Sequence, residues 1–480
     1  MYDFNKINSS FDLIDKNDDR IETYREDTMM RGDPDAVLRA RDENEVKEAL
    51  IYCNKNKIPV TISASQTSMT GSSVANNGLL ISIEKLDGVI DINTKESPPK
   101  AVVKPGTVVA DLQSAVASQG YFYPVAPTSR DECRIGGNVS TNATGEDSFK
   151  YGPIRKYINQ IKVILLDGSE KILKRKLDES PSLELNKAGY FADWKNPIDL
   201  FVGSEGTLGF ISEITLNLLP KSPEFFSALI PFPSNKNALE FLVKTVLAKI
   251  KNLRTIEYID SGALSAMKTY KAIYKFPDKA KALLYIKEEF NTEKELSQLL
   301  EKLYKSVTAS TSSYFADSIV IADSPKKKED FRLWRHRIPE MANEHGREYW
   351  KNGGGKVGGD WWVPINKLLK MMDFFYSEAE KTKLPYMAYA HLGRGHPHTN
   401  LLACNPKEKE IAQEMVIRCC KMAVKLGGGV AGEHGIGKLH TDLMPIQHTN
   451  STIQKMIKWK KEYDPNFILG RGNLFNPKII

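Results

Sequence analysis

The chain has 480 residues, of which 41% are hydrophobic and 26% are charged, and its formal net charge is +7. This composition excludes an intrinsically disordered protein, and a small positive excess without a basic stripe excludes nucleic acid as the expected partner. Five scattered cysteines without a Cys-x-x-Cys motif exclude a disulfide scaffold, a four-cysteine zinc site and a ferredoxin-type cluster. With no signal-peptide pattern and no apolar run of about 18 residues, we expect a cytoplasmic protein without a transmembrane segment. Its positive charge permits peripheral contact with an anionic membrane.

The patterns of residues 1–221 predict an α+β domain, with a polar arm over residues 1–33. Strand patterns at residues 36–40 and 58–62 flank a helix that Asp42 and Glu45 open as a capping box. Asp167-Gly168 is typical of a hairpin turn. The other predicted elements are strands at residues 79–83, 89–92 and 101–104 and a helix at residues 108–118.

After Pro220 the pattern changes to strands that alternate with helices. We predict three strand–helix pairs and one further strand, which form an antiparallel sheet with helices on one face. The pairs are residues 225–231 with 238–247, 255–259 with 263–270, and 282–286 with 293–307, and the further strand is residues 318–322. The predicted domains are residues 1–221, residues 222–440 and a C-terminal segment, 441–480, with a helix at 452–461.

Three segments rich in glycine or small hydroxyl residues stand out in the first domain, at residues 61–71, 135–145 and 202–211. Glycine lets a backbone approach a ligand closely, and successive amide groups in tight turns bind anions. Each segment taken singly is more often an ordinary loop. The sequence has no Gly-x-Gly-x-x-Gly motif that opens a βαβ unit and no Walker lysine, so a Rossmann or P-loop site is unsupported.

Together the three segments resemble, in type and order, the FAD-binding domain of the vanillyl-alcohol-oxidase type, the fold of FAD-linked oxidases. The resemblance implies a two-subdomain FAD-binding domain, in which the first two segments hold the FAD diphosphate and the third lines the adenine side. Ala64, Ser65 and Gln66 stand where many members have glycines. The residues that the resemblance assigns to FAD are Ser63, Ala64, Ser65, Gln66, Thr67, Ser68, Thr128, Gly136, Gly137, Asn138, Ser140, Thr141, Asn142, Gly145, Glu205, Gly206, Ile211 and Asn476.

The distribution of histidines bears on how the flavin is held, because all eight lie at or after His336. Members of that family with covalent flavin usually attach it to a histidine of the FAD-binding domain, and such a bond is impossible here. Cys133 lies near the second segment, but its spacing differs from that of relatives with a cysteine linkage, and we interpret it as a small buried residue. We therefore predict non-covalent FAD.

Four histidines lie in two glycine-rich segments, residues 391–400 and 427–437. Two neutral imidazoles and one carboxylate form a three-ligand site with open positions, as catalytic zinc or manganese requires, and His391, His398 and Glu433 can supply it. The spacing leaves open whether His396 replaces His398. His434 can act as the base, because an imidazole pKa of about 6.5 suits proton abstraction at neutral pH. A histidine in a glycine-rich loop is more often structural, and we interpret the remaining four in that way: His336, His345, His440 and His448.

Jointly, the two segments resemble the FAD-linked D-2-hydroxy-acid dehydrogenases, whose members act on D-lactate, glycolate or D-2-hydroxyglutarate. The family patterns are His-x-Gly-Asp-Gly-Asn-x-His and Gly-Glu-His-Gly-Ile-Gly, so the outer histidines fall on His391 and His398 and the Glu-His pair on Glu433 and His434. The resemblance also implies that the second domain is the substrate (cap) domain and that the tail near Asn476 returns to the flavin.

Two arginines are candidates for binding the substrate. Arg394 and His396 stand where the common pattern has Asp and Asn, and an arginine there favours a carboxylate or phosphate on the substrate. Arg337 best fits the family's carboxylate-binding arginine in a Trp-Arg-His-Arg segment, and a basic helix face is the equally weighted alternative.

The resemblance implies an FAD-dependent dehydrogenase that oxidises a D-2-hydroxy acid to a 2-oxo acid, with His434 as the base. A flavin-dependent transferase similar to alkylglycerone-phosphate synthase is the main alternative, ahead of a non-catalytic electron-transfer subunit and a flavin-free metallohydrolase. Since no haem-attachment or iron–sulfur motif is present, we expect a separate electron acceptor: a quinone, a cytochrome or an electron-transfer flavoprotein. Relatives commonly form homodimers.

Overall fold

The structure is a computed structural model that describes residues 10–176, 185–190, 196–269 and 276–477, together with residues 2, 4, 7 and 274. The chain divides into two compact units: the first comprises residues 1–145, 152–222 and 433–480, and the second comprises residues 146–151 and 223–432. The predicted domain boundaries lie after residues 221 and 440, whereas the chain passes between the two units after residues 145, 151, 222 and 432. Within the described part of the chain, none of the helices combines the length and apolar character needed to cross a bilayer.

The first unit begins with a four-stranded sheet in the order β1-β2-β4-β3. β4 pairs in parallel with β2 and β3, while β1 pairs antiparallel with β2, so part of the predicted polar arm belongs to this sheet. The strands are β1 (Leu13–Asp15), β2 (Ala36–Arg39), β3 (Val60–Ser63) and β4 (Leu79–Ser82).

Helix α1 (Glu43–Asn56) connects β2 to β3 and confirms the predicted start signal. The Asp42 carboxylate accepts hydrogen bonds from the backbone N–H groups of Asn44 and Glu45, and the Glu45 carboxylate accepts one from Arg41 N at 2.9 Å. The apolar face of the helix packs against the sheet in a core that contains Leu38, Val46, Leu50, Cys53, Val60 and Ile81.

A second sheet of the first unit is antiparallel, in the order β5-β6-β10-β8-β9. The predicted hairpin at Asp167-Gly168 is confirmed as the turn between β8 and β9. The remaining strands of the unit are β5 (Val89–Asn93), β6 (Lys100–Val103), β7 (Tyr121–Phe122), β8 (Ile158–Ile164), β9 (Glu170–Lys174), β10 (Phe210–Asn217) and β11 (Leu219–Pro220). Its remaining α-helices are α2 (Val109–Ser118), α3 (Ile135–Ser140), α5 (Ile198–Phe201), α13 (Met444–Gln447) and α14 (Asn450–Tyr463).

The second unit is built on a seven-stranded sheet in the order β15-β12-β14-β13-β17-β18-β16, in which the paired strands are antiparallel as expected. The strands are β12 (Glu224–Phe232), β13 (Leu253–Ile259), β14 (Ala282–Phe290), β15 (Val320–Ala322), β16 (Gly355–Gly359), β17 (Tyr386–Ala390) and β18 (His398–Ala403). The helices are α4 (Ser148–Tyr151), α6 (Asn235–Leu247), α7 (Ser261–Thr269), α8 (Glu293–Ser310), α9 (Ser313–Ala316), α10 (Pro325–Trp350), α11 (Leu368–Thr382) and α12 (Pro406–Lys425).

The three predicted strand–helix pairs of this unit are confirmed as β12–α6, β13–α7 and β14–α8. Residue 270, the last of the predicted second helix, lies outside the described residues. Helix α10 and strands β16, β17 and β18 were not predicted as elements. Of these elements, β17 and β18 flank the histidine-rich turn at residues 391–397.

Buried charge explains why the short segment of residues 146–151 belongs to the second unit. The Asp147 carboxylate accepts hydrogen bonds from Arg254 Nε at 2.8 Å, Thr255 Oγ1 at 2.8 Å and Lys287 Nζ at 3.0 Å. Burial alone would raise the pKa of Asp147, but the charges of Lys287 and Arg254 hold that pKa well below its usual range.

Candidate active site

The three segments that the sequence analysis singled out lie together in the first unit. A Cβ added at Gly137 would lie 3.1 Å from the Cβ of Ala64, so the loop after β3 touches helix α3. Glu205 N donates a hydrogen bond to Ser140 O at 2.8 Å, which joins the third segment to the same helix. Small or absent side chains at these positions permit the close approach of the three backbones.

The residues of these segments fit a flavin dinucleotide. Ser63 ends β3 with a buried hydroxyl, and its Oγ has no hydrogen-bond partner among the described residues. Gln66 and Asn142 have left-handed backbones, with φ of +55° and +50°. Backbone amides exposed by such turns form concave anion sites, and a diphosphate requires such donors. The orphaned hydroxyl and the turns therefore suit the expected cofactor.

Several residues assigned to FAD have their side chains engaged within the protein. Ser65 Oγ donates to Glu132 O and Gln66 Nε2 donates to Glu26 O, each at 2.7 Å, so these two residues can offer FAD their backbone rather than their side chains. Gly145 is required by packing, because a Cβ there would lie 2.3 Å from Ala126 O.

The other assigned residues of the first unit differ in exposure. Thr128 and Asn476 are exposed, whereas the rest are buried or half-buried. The buried and half-buried ones are Thr67, Ser68, Gly136, Asn138, Thr141, Gly206 and Ile211.

Glu205, which lies in the third segment, binds the backbone of the segment that contains Glu433 and His434. Its carboxylate accepts hydrogen bonds from Ile436 N at 2.8 Å and Gly437 N at 2.7 Å, two and three residues after His434. Burial raises the pKa of Glu205 to about 7, although those two amides oppose the shift. Glu205 thus fixes the backbone that carries His434, in addition to lying in the third segment.

In the second unit, a buried carboxylate orients the first histidine of the motif. Glu257, on β13, accepts hydrogen bonds from His391 Nδ1 at 3.0 Å and from Arg335 Nε at 2.6 Å. Burial would raise the pKa of Glu257, but Arg335 and His391 hold it well below its usual range. With Nδ1 donating to a carboxylate, the Nε2 atom of neutral His391 carries the lone pair that a metal requires.

The other two histidines of the motif lie next to His391. The ring centroid of His398 is 5.5 Å from that of His391 and 5.0 Å from that of His396. His396 is buried and its Nδ1 lies 3.0 Å from Trp361 O, whereas His398 is half-buried at the start of β18. The end of β17 and the start of β18 therefore bring three imidazoles into one cluster.

The remaining predicted site residues have different surroundings. Arg337 pairs with Glu340 and Glu344 on the surface of α10, and Arg394 is half-buried at the end of the 3-10 turn Leu392–Arg394. Glu433 and His434 are half-buried in the first unit, where Glu433 O accepts a hydrogen bond from Lys187 Nζ at 3.1 Å. The assigned roles of these residues stay predictions.

Three residues of the second unit that surround the histidines were not predicted: Glu257, Arg335 and Asp360. One signal was available, because Glu257 is a carboxylate inside an otherwise buried strand pattern, and a buried carboxylate needs a partner. The partners themselves lie 78 and 134 positions away in sequence, which no local pattern reveals.

Comparison with known families agrees with these features. The chain matches the family described as FAD binding domain over residues 34–173 and the family described as FAD linked oxidases, C-terminal domain, over residues 222–474. The second match alone covers more than half of the chain. The chain therefore belongs to the FAD-linked oxidases, a class of flavin-dependent oxidoreductases.

The names of three curated relatives refer to glycolate, D-lactate and D-2-hydroxyglutarate. The chain is 28% identical to glycolate oxidase subunit GlcD of Bacillus subtilis (strain 168), over 92% of this chain and 89% of the relative. It is 25% identical to D-lactate dehydrogenase of Anaerostipes hadrus over the same shares. It is 26% identical to D-2-hydroxyglutarate dehydrogenase of Stutzerimonas stutzeri (strain A1501), over 92% of this chain and 91% of the relative.

Solved structures confirm the expected vanillyl-alcohol-oxidase type of fold. p-Cresol methylhydroxylase with substrate bound is similar with a TM-score of 0.72 at 14% identity, over 98% of this chain and 94% of that one. An alkyldihydroxyacetonephosphate synthase is similar with a TM-score of 0.67 at 17% identity, over 97% and 83%. At these identities the likeness concerns the fold alone.

Proposed function

We propose that this protein is an FAD-dependent dehydrogenase that oxidises a D-2-hydroxy acid to the 2-oxo acid with the help of a divalent metal. The observation that carries the proposal is the Glu257–His391 hydrogen bond of 3.0 Å inside a cluster of three imidazoles. A carboxylate behind a histidine is the usual support of a metal ligand. The names of the relatives, which act on glycolate, D-lactate and D-2-hydroxyglutarate, supply the substrate class.

The residues proposed to hold the metal are His391, His398 and Glu433. When bound, zinc or manganese supplies Lewis-acid polarisation of the substrate hydroxyl and carboxylate. Glu257 keeps His391 in the tautomer with its lone pair on Nε2. The imidazole of His434 takes the proton from the substrate hydroxyl, and the tie from Glu205 to Ile436 and Gly437 holds the backbone next to it.

FAD is proposed to bind without a covalent bond, because the sequence has no histidine before residue 336 and Cys133 is buried. When bound, FAD supplies an acceptor for the hydride from the substrate α-carbon. The chain contributes the loop after β3, helix α3 and the turn at residues 203–206, whose amides and small side chains suit the diphosphate and adenine.

Arg394 and Arg337 are proposed to bind the substrate carboxylates. Arg394 follows the histidine that Glu257 orients, and its half-buried guanidinium suits a second carboxylate or a phosphate. Arg337 must exchange its ion pairs with Glu340 and Glu344 for the substrate carboxylate, because both glutamates pair with it in the structure. We further propose a separate electron acceptor, a quinone, a cytochrome or an electron-transfer flavoprotein, and a cytoplasmic location.

The experiment is an anaerobic screen of D- and L-2-hydroxy acids against the purified flavoprotein, with the flavin absorption as readout. We expect one D-acid to bleach the flavin while its L-enantiomer does not, and an artificial electron acceptor to be consumed with the same D-acid. If no acid bleaches the flavin and no acceptor is consumed, the dehydrogenase proposal is wrong and a non-redox flavin transferase replaces it.

A further inference from the structure

Six exposed lysines lie on three neighbouring elements of the first unit: the end of helix α1, strand β9 and helix α14. Among the described residues, none of the six forms an ion pair with an acidic side chain. Their positive charges are therefore available to an external partner. The six, which we call the basic surface, are Lys55, Lys57, Lys171, Lys174, Lys458 and Lys461.

Contacts between the elements make these lysines neighbours. Lys171 Nζ lies 5.0 Å from the centroid of the Tyr463 ring, which joins β9 to the end of α14. Asn466, three residues after α14, donates a hydrogen bond from Nδ2 to Asn54 Oδ1 at 2.9 Å, near the end of α1. The basic surface is thus assembled by the fold from segments that are distant in sequence, and for this reason no basic stripe marks it in the sequence.

Large apolar side chains are exposed in the same region. Ile172 on β9 is 63% exposed and Ile51 on α1 is 41% exposed. A Cβ added at Gly168, in the turn between β8 and β9, would lie 2.6 Å from Ile51 Cδ1, so Ile51 lies beside the hairpin that carries Ile172. On α14, Lys455 Nζ lies 5.0 Å from the centroid of the half-buried Trp459 ring. Lysines mixed with isoleucine and tryptophan are typical of surfaces that bind an anionic bilayer.

Protection of a sheet edge explains only part of the basic surface. Strand β9 is at the edge of its sheet, and lysines on an edge strand prevent pairing with other chains. This explanation covers Lys171 and Lys174. It does not cover Lys458 and Lys461, which lie on a helix whose one acidic residue is Glu462. The exposed side of α14 therefore keeps an excess of positive charge without a role in protecting a strand.

We propose that the basic surface binds the anionic phospholipids of a membrane. The ammonium groups pair with the acidic lipid headgroups, and the side chains of Ile51 and Ile172 enter the headgroup region. The proposal goes beyond the proposed function, because the basic surface contains none of the residues assigned to FAD, the metal or the substrate.

The test is co-sedimentation of the FAD-containing protein with vesicles of phosphatidylcholine, with or without phosphatidylserine. We expect binding to the vesicles that contain phosphatidylserine and not to the others, and weaker binding at higher salt, because salt screens exposed charges. A lysine near an anionic membrane raises the affinity by about fivefold. A variant that combines Lys171→Gln, Lys458→Gln and Lys461→Gln should therefore bind about 100-fold more weakly.

The matched control removes the same charge from the second unit. It combines Lys236→Gln, Lys305→Gln and Lys327→Gln, three lysines that each pair with an acidic residue on a neighbouring turn. The control should bind the vesicles like the unsubstituted protein.

A single substitution tests the apolar part even if the triple variant fails to fold. Ile172→Ser should weaken binding to the phosphatidylserine vesicles by about 10-fold, because it removes apolar surface from the contact, and should leave the salt dependence unchanged. Full vesicle affinity in Ile172→Ser would contradict the insertion of this side chain.

Three results would overturn the proposal. The first is no binding to vesicles with phosphatidylserine, and retention on immobilised polyglutamate would then assign the surface to an acidic protein. The second is an equal loss of affinity in the lysine variant and in the control. The third is self-association of the lysine variant at unchanged vesicle affinity, which would limit the lysines to protection of the β9 edge. Flavin reduction by a hydroxy acid in solution does not involve this surface, so the two proposals can fail separately.

Discussion

Glu257 is a buried carboxylate of the second unit that we expect to affect both stability and chemistry. It is buried and serves two partners at once, the Arg335 guanidinium and the His391 imidazole. A buried charge left without its partner is costly, whereas an exposed ion pair contributes little. The same carboxylate therefore stabilises the core and sets the tautomer of a proposed metal ligand.

We expect Glu257→Gln to lower the free energy of unfolding by about 3–5 kcal/mol, because Arg335 would remain buried without its counter-charge. Glu344→Gln is the matched control, since its partner Arg337 lies on the surface of α10, and it should leave unfolding nearly unchanged. Denaturant unfolding of the three proteins measures the effect. Equal loss in both variants would contradict the special role of Glu257.

His434 is the proposed base, so its loss should affect the reaction and not the cofactor. We expect His434→Asn to retain FAD, since none of the flavin segments contains this residue, and to slow flavin reduction by about 10²- to 10⁴-fold. Stopped-flow absorbance after anaerobic mixing with substrate measures the rate. His345→Asn should react like the unsubstituted protein, and a His434→Asn variant that reduces its flavin at full rate would contradict the assignment.

Among the helices and strands, those that carry a local signal in the sequence were predicted correctly. Helix α1 and the β8–β9 hairpin were predicted because a cap residue and an Asp-Gly turn mark them in sequence. Strand β16, with the sequence Gly-Lys-Val-Gly-Gly, was missed because three of its five residues are glycines, which have low strand propensity. It is a strand because it pairs with β18, a contact that the sequence does not reveal.

The candidate site shows the same limit. The three FAD segments and the histidine motif were visible because each is continuous in sequence. The partners that orient the histidines were not, since Glu257 lies on β13, Arg335 on α10 and Asp360 after β16, and only the fold of the second unit brings them together. Long-range ion pairs of this kind depend on topology rather than on spacing.

The burial of Glu205 should give a pH signature, although the hydrogen bonds from the backbone of residues 436 and 437 oppose it. Its pKa rises from 4.5 to about 7 on folding, so the folded protein binds more protons than the unfolded chain between these values. The contribution of Glu205 to the free energy of unfolding is therefore complete below pH 4.5 and is lost as the pH rises to about 7. The shift corresponds to about 3 kcal/mol.

We therefore expect Glu205→Gln to unfold with a smaller loss of stability between pH 4.5 and pH 7 than the unsubstituted protein, by up to about 3 kcal/mol. Chemical denaturation across this pH range measures the difference. Glu213→Gln, a half-buried position on β10, is the control and should retain the original pH profile. Parallel profiles for Glu205→Gln and the unsubstituted protein would contradict a raised pKa at Glu205.

For the whole molecule, the sequence predicted the class of protein from motifs in both halves, and the family matches agree over residues 34–173 and 222–474. Apart from residues 146–151 and residue 222, the two compact units differ from the predicted domains at residues 433–440. Glu205 and Asn473 explain this difference, because they bind Ile436, Gly437 and Lys438 within the first unit. Hydrogen bonds across such distances leave no mark in a local pattern.

The central claim is that a D-2-hydroxy acid delivers the hydride from its α-carbon to the flavin of this protein. The most direct measurement is anaerobic single-turnover reduction by the active D-acid and by the same acid deuterated at the α-carbon, with the 2-oxo acid quantified. The account predicts equal amounts of 2-oxo acid and reduced flavin, with slower bleaching by the deuterated acid. A flavin that stays oxidised while the acid is consumed, or bleaching without 2-oxo acid, would contradict it.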